Sequence, residues 1–437
     1  MHRRRVGGRR DPEQHHSLLY RNNDNVGVNA NKHQPSIMNG RITTTETPKD
    51  PFPRFAFTEL KIGRCIGKGG FSVVSIVDSI HLDEVYDTSE SESDLRQGFC
   101  QRHRDSNNDL VIKLLRTDLG EEEHVKGVMD LAIEAEFLQT LSHPNIITMQ
   151  AYANSDPHEA RFFVLLDRLI MTLERKIPFW RKAVSENAGF WLGPCMGHCC
   201  GRAPVLNRLW VERLMVSRDI ARAVKYLHSK NIVYRDLKPD NVGFDGKGDL
   251  KIFDFGLAKR MDPEYRVDRE LYNLTGNTGS LRYMAPEVAM CEPYDQRVDS
   301  YSFGILFWQI CNLTTPFQGF STKMHSEKVI HGRTRPQPSK QWPLAWVQLQ
   351  NECWSHDIFQ RPDFEHIYNV LEEEVHDWTD FGGIPSRATE ARAKKHNLRE
   401  ATDALRVVDG DAHFLAHDNG AVEDGGPTVL KHEVNIV

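Results

Sequence analysis

Apolar and polar positions divide this chain into a patterned middle and two polar ends. From Thr58 onward, Leu60, Ile62, Cys65 and Ile66 alternate with polar residues and predict a strand. It leads into a hairpin at Gly67-Lys68-Gly69-Gly70-Phe71-Ser72-Val73-Val74. Leu110 to Leu115 predicts an apolar strand that carries one lysine, Lys113. Between Glu121 and Leu141, the residues Val125, Val128, Ala132, Ala135, Leu138 and Leu141 recur close to the helical period. The acids of the first turn suit the positive end of the helix dipole. Arg161 to Leu169 reads as a buried strand, Trp210 to Ser229 as a long helix and Asp249 to Phe253 as a further strand.

The polar stretches between these elements set the domain plan. Residues 1–53 are rich in Asn, Arg, His and Thr, and bury too little apolar surface to offset chain entropy, so a disordered basic leader is expected. Residues 78–109 are acidic and Ser-rich and are expected to form an inserted, mobile surface loop open to phosphorylation. A second insertion is expected at 177–207. It contains Cys195, His198, Cys199 and Cys200, which are metal-ligand types, but adjacent cysteines do not easily close a tetrahedral site. Residues 376–437 are expected to hold a polar helix, from about Ser386 to Val407, and a disordered tail.

Composition narrows the function. A net charge of −6 over 437 residues gives no electrostatic case for nucleic acid binding. The apolar run from Phe162 to Met171 is short and is broken by Asp167 and Arg168, so no membrane span is expected. Eight cysteines, mostly scattered, do not make a disulfide framework and suit a reducing compartment, cytoplasmic or nuclear. The N-terminus MHRRRVGGRR lacks an apolar stretch after its charges, and Asp11 and Glu13 weigh against a transit peptide.

The chemistry is concentrated between Tyr234 and Gly256, which read YRDLKPDNVGFDGKGDLKIFDFG. Two acids, a lysine and an asparagine stand there at the spacing that phosphoryl transfer from ATP requires. At Tyr234-Arg235-Asp236-Leu237-Lys238-Pro239-Asp240-Asn241 and Asp254-Phe255-Gly256 the sequence resembles the eukaryotic protein kinases. The resemblance covers roughly residues 58–375. It implies an α+β bilobal fold, with a small sheet-rich lobe bearing one regulatory helix and a larger, mainly helical lobe. It makes Asp236 the catalytic base and Lys238 the cation on the transferring phosphate, and it assigns Asn241 and Asp254 to Mg2+. Lys238 two residues after the base favours serine/threonine substrates. Tyr234 stands where the family usually has His.

The same resemblance assigns the nucleotide site. Gly67, Lys68, Gly69, Gly70, Phe71 and Ser72 would form the phosphate-covering loop, with Ser72 in place of its third glycine. Val74 and Val111 would contact adenine, Lys113 would hold the α- and β-phosphates, and Glu134 rather than Glu136 would be the lysine's partner. Leu166 would be the gatekeeper, and the backbone of Asp167 to Leu169 would meet the adenine edge. Leu138, Met149, Tyr234 and Phe255 would stack as the regulatory spine. Gly243 departs from the family, which usually places a large aliphatic side chain there beneath the adenine.

Beyond the metal-binding acid, the segment Asp254 to Glu287 resembles an activation segment that ends in Met284-Ala285-Pro286-Glu287. Thr275 and Thr278 are candidate phosphosites, with Arg235 and Lys259 as candidate phosphate ligands. Ser280 would contact the catalytic acid and help receive substrate. Arg361 would pair with Glu287, and Asp299 would cap the catalytic-loop backbone. Tyr301-Ser302-Phe303-Gly304-Ile305-Leu306 together with Cys353-Trp354 resembles the tyrosine-kinase-like branch. The expected function is transfer of the γ-phosphate of ATP to Ser/Thr hydroxyls of protein substrates, under an upstream kinase, with partner docking through the inserts. A scaffold of the pseudokinase type is the alternative. It is opposed by the presence of Lys113, Glu134, Asp236, Asn241 and Asp254 together.

Overall fold

The computed structural model describes residues 52–380, apart from residues 88, 106–108, 160, 189–202 and 269. The leader to residue 51, the tail from 381 and the cluster Cys195, His198, Cys199 and Cys200 lie outside the described residues. Six strands form the first sheet: β1 (Arg54–Phe55), β2 (Leu60–Lys68), β3 (Ser72–Ile80), β4 (Leu110–Leu115), β5 (Met149–Ala153) and β6 (Phe163–Asp167). Their spatial order is β1-β5-β6-β4-β3-β2. All neighbours are antiparallel except β1 beside β5. The register places Lys113 opposite Val74 on one side and Val164 on the other.

Residues 90–105 are not the mobile loop expected from their composition. They form helix α1 (Glu90–Asp105), and its buried face carries Arg96, Phe99 and Cys100. Arg96 is 1% exposed and forms ion pairs with Glu59 and Asp87, while its guanidinium lies 5.5 Å from the centre of the Phe55 ring. Glu59 also accepts from the backbone N–H groups of Ala56 and Asp83, each at 2.8 Å. The insertion is thereby locked to the segment entering the sheet. A buried charge paired on two acids holds the helix in one place, because withdrawing either partner would strand the other away from water.

Helix α2 (Glu121–Thr140) crosses the sheet with Val128, Leu131, Ala135 and Leu138 inward. Its start is fixed by three consecutive glutamates and by the Glu123 carboxylate, which accepts from the Gly120 N–H at 3.2 Å.

The second lobe is mainly helical. Helix α3 (Leu173–Ala188) runs through Pro178 into the region expected to be inserted, and α4 (Ala203–Ser229) begins before Trp210, so both helices take up parts of that expected insertion. Short α5 (Pro286–Ala289) begins at the end of the segment Asp254 to Glu287. Helix α6 (Arg297–Asn312) is buried continuously from Val298 to Cys311 and forms the axis of the lobe. Short α7 (Thr322–His325), α8 (Leu344–Cys353) and α9 (Phe364–Asp380) complete it, with α9 lying along α4. Trp346 fills the space between Trp210 and Trp378, at 4.9 and 5.5 Å between ring centres, and its indole N–H donates to Glu374 at 2.6 Å.

Two small sheets lie where the lobes meet: β7 (Met171–Thr172) with β9 (Val242–Phe244) and β10 (Leu250–Ile252), and β8 (Ile232–Val233) with β11 (Lys259–Arg260). Among the described residues, no helix is long and apolar enough to cross a membrane.

Replacing Arg96 by Ala leaves Glu59 buried with its charge uncompensated. Urea unfolding of Arg96→Ala should show a loss of about 3 kcal/mol, the lower end for breaking a buried pair, since two backbone donors stay on Glu59.

Candidate active site

Each lobe contributes one half of the site. From the sheet, β4 points Lys113 toward α2 and toward the turn after β10. There its ammonium donates to Glu134 Oε2 at 2.5 Å and to Asp254 Oδ1 at 3.0 Å. Burial alone would pull the lysine's pKa down. The two carboxylates outweigh burial and hold it above the ordinary lysine value, and Lys113 in turn holds Asp254 below the usual carboxylate range. Asp254 has a φ of +68°, a left-handed backbone that a non-glycine residue keeps only where its surroundings hold it there.

The glycine-rich hairpin closes through Gly69 N–H on Ser72 C=O at 2.8 Å. Phe71 packs against α2 at Gly127, where a β-carbon would lie 2.7 Å from Phe71 Cβ. Arg116, which the sequence did not single out, donates to the Gly70 carbonyl at 2.6 Å and pairs with Asp118 at 2.8 Å. Lys68 also binds Asp118, at 3.0 Å. Gly67, Gly70, Ser72 and Val74 occupy the same hairpin, and Val111 lies buried on the next strand, opposite Leu166.

In the helical lobe, four donors converge on the buried Asp236 carboxylate. Oδ2 accepts from Lys238 Nζ at 2.6 Å and Asn241 Nδ2 at 2.9 Å. Oδ1 accepts from the Ser280 N–H at 3.0 Å and its hydroxyl at 2.9 Å. Lys238 Nζ reaches Ser280 Oγ as well, at 2.9 Å. Because the Asn241 amide nitrogen also donates to the Asp236 carbonyl at 3.0 Å, its oxygen is the end left to accept a cation. Asn241 and Asp254 together offer oxygen ligands, the set that suits a hard cation such as Mg2+. Among the described residues there is no cluster of three or more His, Cys, Asp or Glu able to hold a metal.

The loop is hung from α6. Asp299, without solvent contact, accepts the N–H groups of Tyr234 and Arg235, both at 2.8 Å, and lies 2.8 Å from His228 Nε2. Tyr234 stacks edge-on against Phe255 with ring centres 5.3 Å apart, and its hydroxyl donates to the Phe253 carbonyl at 2.5 Å. The tyrosine therefore ties the catalytic loop to the residue just before Asp254. Leu138, Met149, Tyr234 and Phe255 belong to one buried cluster.

Three placements were beyond local pattern. Gly279 has a φ of +100°, and a β-carbon there would lie 2.4 Å from the Arg235 carbonyl oxygen. Only glycine lets the activation segment lie on the catalytic loop so closely. At Gly243 a β-carbon would lie 2.7 Å from Leu169 Cδ1 and 3.2 Å from Phe253 Cε1, so the Leu169 side chain occupies the volume a larger residue would take. Asp167 directs its carboxylate to Gln150 Nε2 at 2.9 Å.

Of the candidate regulatory groups, Arg235 and Thr275 are brought together. Arg235 Nη1 lies 3.5 Å from the Thr275 carbonyl and 3.1 Å from the Tyr294 hydroxyl, which itself donates to that carbonyl at 2.8 Å. Thr278 donates to the Gly276 carbonyl at 3.1 Å, and Lys259 lies over the Tyr265 ring at 4.9 Å. Arg361 holds Glu287 through two bonds, at 2.6 and 2.9 Å.

A sheet lobe holding a lysine on two acids, set against a helical lobe holding an aspartate, a lysine and an asparagine on one loop, is the architecture of a phosphotransferase. The protein kinase domain family matches residues 98–371, more than half of the chain. Similar proteins include the serine/threonine/tyrosine-protein kinase HT1 of Arabidopsis thaliana, 28% identical over 292 residues, which are 65% of this chain and 65% of that protein. Serine/threonine-protein kinase STY46 of the same plant is 35% identical over 158 residues, 36% of this chain and 26% of that protein. The probable serine/threonine-protein kinase drkD of Dictyostelium discoideum is 28% identical over 291 residues, 63% of this chain and 19% of that protein. The chain thus spans just under two thirds of the first relative's length and far less of the other two. This chain belongs to the eukaryotic protein kinases, in their tyrosine-kinase-like group.

Gly279→Ala should force the segment off the catalytic loop, costing about 1–3 kcal/mol for the strained backbone. Hydrogen exchange should rise between Leu274 and Met284 while the sheet lobe keeps its protection.

Proposed function

We propose that this chain transfers the γ-phosphate of Mg-ATP to serine and threonine hydroxyls of proteins. One observation carries the reading: Asp236, Lys238, Asn241 and Ser280 already converge on one point while Lys113 is already engaged with Glu134 and Asp254. The presence of all these residues in one network argues against an inactive scaffold.

Asp236 orients the acceptor hydroxyl and takes its proton, and its own carboxylate is kept in place by the donors around it. Lys238 carries a positive charge between Asp236 and Ser280, where charge spreads over the moving phosphoryl group. Lys113 holds the nucleotide's inner phosphates, with Glu134 keeping its ammonium aimed. Asn241 and Asp254 would hold magnesium, which when bound neutralises the phosphate charge. The hairpin from Gly67 to Val74 covers the phosphates, and Val111, Asp167 and Leu169 border the base. Ser280 beside Asp236 and Lys238 supports serine and threonine acceptors. The similar proteins' names include serine, threonine and tyrosine, so the acceptor is a quantity to measure.

Regulation is proposed at the activation segment. Thr275 is exposed, and Arg235 lies against its carbonyl, so a phosphate on Thr275 would meet a guanidinium that can bind it with charge-assisted bonds. Thr278 and Lys259 are secondary candidates in the same segment.

Asp236→Asn should lower phosphate transfer from radiolabelled ATP by about 10²–10⁴-fold, the scale of general-base catalysis, with nucleotide binding retained. Phosphoserine and phosphothreonine in the acid hydrolysate of substrate are expected, and an unchanged rate in the variant would remove Asp236 from its role. Thr275→Ala combined with Thr278→Ala should reduce activity and leave nucleotide affinity alone. Full activity in a wild-type preparation that mass spectrometry finds unphosphorylated would overturn the regulatory reading.

A further inference from the structure

The insertion before β4 is tied down at its middle and at its exit. In α1, Arg96 is buried on Glu59 and Asp87. At its exit, Asp109 meets Arg168, the middle residue of the segment that joins the lobes. The Asp109 carbonyl accepts the Arg168 N–H at 3.1 Å, extending the β4–β6 ladder beyond Leu110 and Asp167, and the Asp109 carboxylate accepts from the Arg168 guanidinium. Arg168 therefore spends its side chain on the insertion. On α1, His103 stacks on Phe99 at 6.4 Å and lies within the fields of both Asp109 and Asp167. Asp167 is held by Gln150 at 2.9 Å. The back of the joining segment is thus held by polar groups from the sheet and the insertion, Asp167 by Gln150 and Arg168 by Asp109.

We propose that Arg168 and Asp109 are positioning residues for the nucleotide, and that the insertion is a strut behind the hinge rather than only a surface appendage. This inference rests on the kinase reading above, because it is the backbone of Asp167 to Leu169 that would meet the base. The Arg168 and Asp109 side chains bond each other and would act on the nucleotide only through the hinge backbone. The Arg168 and Asp109 side chains are 29% and 54% exposed, so their ion pair adds little to global stability, and its effect lies in where the hinge backbone stands. That separates it from a structural role: loss of the pair should weaken nucleotide binding without unfolding the protein.

The test uses the full chain. Asp109→Ala and Arg168→Ala are each compared with wild type by steady-state transfer at varied ATP, by titration with a fluorescent adenine nucleotide and by thermal unfolding. The expected result is a rise of about five-fold in KM and in nucleotide Kd, equivalent to about 1 kcal/mol, with kcat and Tm held. The swapped double variant Asp109→Arg with Arg168→Asp should recover most of the lost affinity. Unchanged Kd in both single variants would overturn the proposal. So would a parallel fall of kcat and Tm, or a swap no better than the single changes. A wild-type chain that binds the nucleotide and transfers no phosphate would overturn the kinase reading while leaving the Kd comparison to decide the strut. A wild type that does neither would overturn both.

Discussion

A carboxylate with no access to water, Asp299, is the constraint on which the catalytic loop depends. Its two oxygens take the N–H groups of consecutive residues, Tyr234 and Arg235, and one of them also faces His228. Buried charge is tolerable only where such donors surround it. In return it fixes a left-handed residue, Arg235 at φ +69°, immediately before Asp236. The direction of the Asp236 side chain is set by that turn, and Lys238, Asn241 and Ser280 then lock it from the other side. Helix α6, buried from Val298 to Cys311, gives Asp299 a rigid mount.

The same logic joins the two lobes. Lys113 bonds Glu134 within the sheet lobe and Asp254 from the segment following β10, so one ammonium reports whether α2 and that segment are both in place. Tyr234 adds a second link, since its ring packs on Phe255 while its hydroxyl holds the Phe253 carbonyl. A histidine could stack in this position, but the tyrosine hydroxyl extends to the backbone just ahead of the left-handed Asp254. Tyr234 in place of the family's usual His thus adds a bond to the backbone.

Much of the site was legible in the sequence because its residues carry chemistry at short spacing: the Tyr234 to Asn241 loop, Asp254 to Gly256, and a lysine alone in an apolar strand. Helix α2 was legible because its apolar period is sustained over twenty residues. The insertion was not. Its segment ESESDLRQGFCQRHRD is mostly polar, and the helix is secured by Arg96 meeting Glu59, 37 positions away, a contact that local periodicity does not encode. Helix α3 runs on through Pro178 as one helix. The glycines at 127 and 279 owe their identity to neighbours distant along the chain, Phe71 and Arg235, so their spacing carried no signal.

Gly243 has the widest consequence. With no side chain at that position, the volume under the joining segment is filled by Leu169, a residue of the joining segment itself. Floor and hinge are therefore one mechanical part. A base seated as proposed would rest on the Leu169 side chain and meet the Leu169 backbone at its edge, so one residue would supply both contacts. A substitution of Leu169 would then alter the floor and the edge of the pocket together.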